Sequence, residues 1–184
     1  MDTTNDIPLK LFTLSVEESN CPFIPQICEL GISLHQQFFK QKKESETLIS
    51  MSYGKRVIIN TPAHPINHLS RDAFIEIVDY DPINNILLYI GPSKPHPLTP
   101  LHWLIHHAKP QITSLAFIQT FEQTAQITQT MFETVQKGRT ILDTAKTVLK
   151  NLQKKPIIHI QETGVLISGE TIEKIKERIF QDMR

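Results

Sequence analysis

The 184-residue sequence has few of the residues that mark common catalytic and cofactor motifs. It contains 6 glycines, and no two stand as Gly-x-Gly. That excludes a dinucleotide fingerprint and a phosphate loop, because both need glycine to bring backbone against phosphate. A Gly-x-Ser-x-Gly nucleophile elbow is also missing. The 2 cysteines, Cys21 and Cys28, are too few for a disulfide framework or a cysteine-based zinc site. Each reads as a buried or loose surface thiol. Charge of either sign is not in excess, since Lys+Arg 19 balances Asp+Glu 19. The clustered basic face of a nucleic-acid binder is therefore not expected. The short run Lys40, Lys42, Lys43 is followed at once by Glu44 and Glu46 and reads as a solvated loop. No stretch approaches the roughly 18 apolar residues of a membrane span, and MDTTNDIPLKLF has no basic leader region. A soluble, cytoplasmic protein without membrane or nucleic-acid partners is the expectation.

What is present is a clear alternation of elements. Residues 1–22 are polar and irregular and are expected to form a loose arm or a packing extension. Residues 23–184 are expected to form a single domain. Ile24, Ile27, Gly31, Leu34, Phe38 and Phe39 recur at helical spacing, which predicts a helix over 24–41. TLISMS (47–52) and RVIIN (56–60) flank a Tyr-Gly-Lys turn, and FIEIVDY (74–80) and NILLYI (85–90) flank Asp-Pro-Ile-Asn. Both pairs read as hairpins. Thr99-Pro100 has the form of a helix start, with Thr99 as N-cap and proline at the first helical position. A strand over 113–121, helices over 121–137 and 140–153, strands at 156–160 and 164–168, and a last helix from about Glu170 complete the reading. The expected class is α/β, with a mixed or mainly antiparallel sheet covered by helices.

Four of the 8 histidines fall in PSKPHPLTPLHWLIHH (92–107). Zinc needs three or four converging ligands. His102 and His106 share a helix face at i and i+4, but Trp103 stands where a His-Glu-x-x-His motif needs its Glu. On spacing alone this is a helix carrying two partly exposed histidines.

The order of segments resembles the class II aldolase/adducin family from about residue 26 to 180. The carrying stretches are ELGISLHQQFF, SETLISMSYGKRVIINTPAHP, AFIEIVDYD, KPHPLTPLHWLIHHAKPQITSLAFIQTF and IIHIQETGVLISGETIEK. Ser50 takes the serine of Gly-Asn-x-Ser. Thr61-Pro62, Lys94-Pro95, Thr99-Pro100, His102, Gly164, Gly169 and Thr171 match family positions in register. The resemblance implies a three-layer fold of the L-fuculose-phosphate aldolase, ribulose-phosphate epimerase and methylthioribulose-phosphate dehydratase type. It also implies a homo-oligomer, a tetramer in the family.

Family chemistry rests on a divalent metal, usually zinc, held by His-x-His and a third histidine, with a Glu as acid/base. The metal polarises a carbonyl and stabilises an enediolate. Here the Glu position is Leu98, the His-x-His positions are Phe117 and Gln119, and the third histidine is Thr163. The phosphate-binding Gly-Asn falls on Thr47-Leu48, and Ser-Gly on Ala63-His64. The resemblance therefore implies a non-catalytic member, with no cofactor and with a structural, partner-binding or ligand-sensing role. A residual pocket would comprise Ser50, Asn60, Thr61, His64, Lys94, His96 and His102. The alternative is a metal-dependent sugar-phosphate enzyme whose relocated ligands come from His64, His96, His102 and His159.

Overall fold

The computed structural model describes residues 7–39, 46–119 and 132–180. The alternating patterns become strands β1 (Lys10–Ser15), β2 (Thr47–Tyr53), β3 (Arg56–Asn60), β4 (Phe74–Asp81), β5 (Ile86–Ile90), β6 (Ser114–Ile118), β7 (Phe132–Val135), β8 (Ile157–Ile160) and β9 (Gly164–Gly169). The helices are α1 (Ile24–Leu34), α2 (Thr99–Ala108), α3 (Ile141–Asn151) and α4 (Ile172–Phe180). One sheet holds the nine strands in the order β1-β5-β4-β3-β2-β6-β9-β8-β7. Among the described residues, only its two edge pairs, β1 with β5 and β7 with β8, are parallel. The expected mixed, mainly antiparallel sheet is thus the observed one.

Period-two burial divides the core between the two sheet faces. Ile49, Ile58, Ala116 and Ile167 point to α1 and α4, which present Ile27, Leu30, Leu34, Ile172, Ile175 and Ile179. Leu48, Val57, Leu115 and Leu166 point the other way, to Leu101 and Ile105 of α2 and to Ala145 and Val148 of α3. Each fully buried aliphatic side chain stabilises the fold by about 1.5–3 kcal/mol relative to exposure, so these two layers hold the sheet between its helices.

Several elements differ from expectation. Residues 10–15 are not a loose arm but the edge strand β1, paired from Lys10↔Ile86 to Ser15↔Ile90. The segment after it is tied down by Ser19 Oγ, which donates to the buried Glu76 at 2.5 Å. The expected helix over 121–137 falls largely on residues outside those described. Its end, Phe132–Val135, is strand β7, because Phe-Glu-Thr-Val is rich in strand formers and gains backbone partners along β8. The first helix continues past Leu34 as one π turn, His35–Phe39. Among the described residues, no helix is long and apolar enough to cross a membrane.

Candidate functional site

Helix α2 places the site. Thr99 does not cap it: Leu98 is the N-cap, and the buried Thr99 hydroxyl has no hydrogen-bond partner among the described residues. The first turn is held by His96, whose Nδ1 accepts the Leu98 N–H at 3.0 Å and whose carbonyl accepts the Thr99 N–H at 2.9 Å. The proline-flanked His96 thus replaces the threonine as the local cap.

Neither His102 nor His106 is partly exposed. Both are buried, and they close on Ser50 from the neighbouring sheet face. His106 Nδ1 lies 2.9 Å from the Ile112 carbonyl. A carbonyl can only accept, so Nδ1 carries the proton and Nε2 is an acceptor. Nε2 then receives the Ser50 hydroxyl at 2.9 Å. That uses the only hydrogen on Ser50, so His102 Nδ1, 2.7 Å from the same oxygen, must donate. His102 Nε2 is left as a lone pair, buried and without a hydrogen-bond partner among the described residues. Burial pushes His102 down to about 3, with His106 and His96 adding to the effect. Burial pushes His106 down to about 4, against the opposing effect of Ile112. Both rings are neutral at pH 7, and the chain of donors runs in one direction.

A shallow cleft opens near the residues that lead into α2, at the start of β2. One cavity of about 250 Å³ is lined by Glu46, Thr47, Pro62, Ala63, His64 and their neighbours. A second, of about 500 Å³, shares Glu46 and Pro62 and reaches Lys94, His96 and the edge-strand residue Leu11. His96 Nδ1 accepts, so Nε2 carries the proton and donates to Glu46 at 2.8 Å. His64 pairs separately with Asp72 at 3.0 Å. The Glu46 pairing was missed from sequence, where Glu46 reads as part of a charged loop. Its position directly before Thr47, in the phosphate-binding stretch of the family, was the available signal.

Of the seven candidate pocket residues, His64, Lys94 and His96 line the cleft. Ser50, Asn60, Thr61 and His102 are buried instead. Asn60 spans its neighbour strand, accepting from the Ile49 N–H at 2.6 Å and donating to the Thr47 carbonyl at 2.9 Å. Thr61 donates to the Ala73 carbonyl. These are framework contacts. The four histidines of the alternative metal set are not brought together: His64, His96 and His102 engage Asp72, Glu46 and Ser50 respectively, and His159 stands on β8 opposite Val165.

The positions where the resemblance puts metal ligands hold Phe117, Gln119 and Thr163, whose side chains are poor metal ligands. Phe117 is 1% exposed, and its ring lies over Gly164. A Cβ at Gly164 would come within 2.7 Å of Phe117 Cζ and 2.3 Å of the Ile118 carbonyl, and φ there is +151°. Glycine is retained because backbone and ring approach too closely for any side chain. Leu98 packs against the core beneath α2 and α3. Gln119 is exposed, and Thr163 turns its hydroxyl back to the Gln161 carbonyl. Among the described residues, no group of three or more His, Cys, Asp or Glu side chains is placed to hold a metal ion.

No sequence family model matches the chain, and no curated protein does. Solved structures do. The L-fuculose-1-phosphate aldolase from Thermus thermophilus superimposes with a TM-score of 0.62 at 11% identity, over 83% of this chain and 84% of that one. The chain has the class II aldolase fold. YgbL from Escherichia coli gives a TM-score of 0.66 at 10% identity, over 85% of this chain and 83% of its own. The N-terminal class II aldolase domain of a conserved protein from Thermoplasma acidophilum gives 0.59 at 12% identity, over 89% and 91%. The class II aldolase fold accounts for the sheet and the helices that cover it.

Proposed function

We propose that this chain is a non-catalytic protein on the class II aldolase fold, acting as a cytoplasmic structural, partner-binding or ligand-sensing protein. The observation that carries this is Phe117, whose buried ring packs on Gly164 at the position where the resemblance puts a metal-binding histidine. Phenylalanine and leucine neither bind a metal nor move a proton. A site of uncompensated buried histidines and carboxylate would carry a desolvation cost, and apolar replacements remove it. The direct test is carbon–carbon cleavage of L-fuculose 1-phosphate by zinc-supplemented protein. No cleavage above buffer is expected; zinc-dependent turnover lost in Glu46→Gln would overturn the proposal.

The same reading includes self-association, and edge strand β1 offers the surface for it. Phe12, Leu14 and Val16 are 52%, 55% and 71% exposed. Natural edge strands are normally protected by charge or cover. Lys10 stands at the start of β1, and Glu17 and Glu18 follow its end. Antiparallel pairing with a second copy sets opposite charges together at both ends. Light scattering should give a mass above 21.1 kDa, reduced to that value by Phe12→Glu; a wild-type monomer would refute the surface.

A further inference from the structure

We infer a second ligand site, for a small phosphate-bearing anion, at the end of the sheet opposite the cleft. The cleft lies where β6 ends and β9 begins. The other end, where β6 begins and β9 ends, holds a separate cavity of about 420 Å³. Its wall carries Lys109, Lys154, Lys155 and Arg178 against one carboxylate, Glu170. The chain as a whole is neutral, so this is a local concentration of positive charge. Such a concentration in a concave, low-dielectric wall focuses the field on an anion.

The one carboxylate is already engaged. Arg178 donates to Glu170 Oε2 at 3.3 Å and to the Ser168 carbonyl. The three lysines have no ion-pair partner among the described residues, although Lys109 and Lys155 are half-buried. With no carboxylate among the described residues engaging them, these ammonium groups are open to an anion that enters the cavity. Ile112, Leu152 and Pro156 give an apolar side to the cavity. The volume lies within the range of small-molecule sites. The ligand class is therefore a phosphate or pyrophosphate ester with a compact organic body. The site is independent of whether the cleft is catalytic.

The test is titration of ¹⁵N-labelled full-length protein with sodium pyrophosphate at constant ionic strength, followed by amide shifts. Saturable shifts confined to residues 109–112, 152–156 and 168–171 are expected. The Lys109→Gln/Lys155→Gln pair should bind at least tenfold more weakly while its remaining amide spectrum stays folded. Glu46→Gln, in the cleft, should bind as the wild type does. Shifts centred on 46–47, 62–66 and 94–97, shifts that never saturate, or unchanged affinity in the lysine pair would each overturn the site.

Discussion

Two histidine pairs lie within one short region of the molecule and behave oppositely. His102 and His106 are sealed against Ser50, with their protons fixed by a one-way chain that ends on the Ile112 carbonyl. His64 and His96 face the cleft and pair with carboxylates that are about half exposed. Residue type is the same in both. What differs is the partner: a neutral hydroxyl inside, a solvated carboxylate outside. The inner pair is closed off by its own hydrogen bonds to Ser50 and Ile112, and the outer pair faces the cleft.

The sharpest way to break this contrast is acid. The folded-state values of His102 and His106, about 3 and about 4, lie below the ordinary unfolded value near 6.5. The unfolded chain therefore takes up protons first as pH falls. The stability that comes from burying the neutral rings is complete above about pH 6.5 and is lost below it. Two rings imply a loss on the order of 4 kcal/mol between pH 7 and pH 5. Urea midpoints across that range should fall steeply, and a flat profile would mean the rings are not buried neutral. Asp72 and Asp81, held below the ordinary carboxylate value by hydrogen bonds from Ser70 and Asn84, add their loss only at still lower pH.

Removing the shared hydroxyl comes next in size. Ser50→Ala strands an acceptor on His106 and a donor on His102. Each buried unsatisfied group costs about 1–3 kcal/mol, so a destabilisation of about 3 kcal/mol is expected in urea unfolding. A cost under about 0.5 kcal/mol would dissolve the relay. The outer pair supplies the counterpart. Glu46→Gln alters only the part-exposed hydrogen bond from His96 and should cost no more than about 1 kcal/mol in the same measurement. A loss equal to that of Ser50→Ala would remove the distinction between inside and outside.

Local patterns carried much of the fold. The two hairpins, α2 and α3 follow from period, turn chemistry and caps such as Thr140, which accepts the Asp143 N–H at 3.1 Å. β1 and β7 did not, because each is an edge strand whose pairing partner lies far along the chain, Ile86 for Lys10 and Ile157 for Phe132. Thr99 looked like an N-cap because the competing cap, His96, is not a common capping residue. His102 and His106 looked partly exposed because they flank the apolar stripe of α2. Their partner Ser50 is 52 and 56 residues away, which no helical period reveals. Lys94-Pro95, in the wall of the cleft, was legible in the sequence. The Glu46–His96 pair in the cleft, and the burial of the Phe117 ring in the core, needed the packing.

The central claim is that a class II aldolase fold here carries no working metal centre. Metal content by mass spectrometry, on protein purified without chelator, tests it most directly. The account predicts far less than one zinc per chain, unchanged by His64→Ala or His96→Ala. One zinc per chain, lost in either variant, would contradict it.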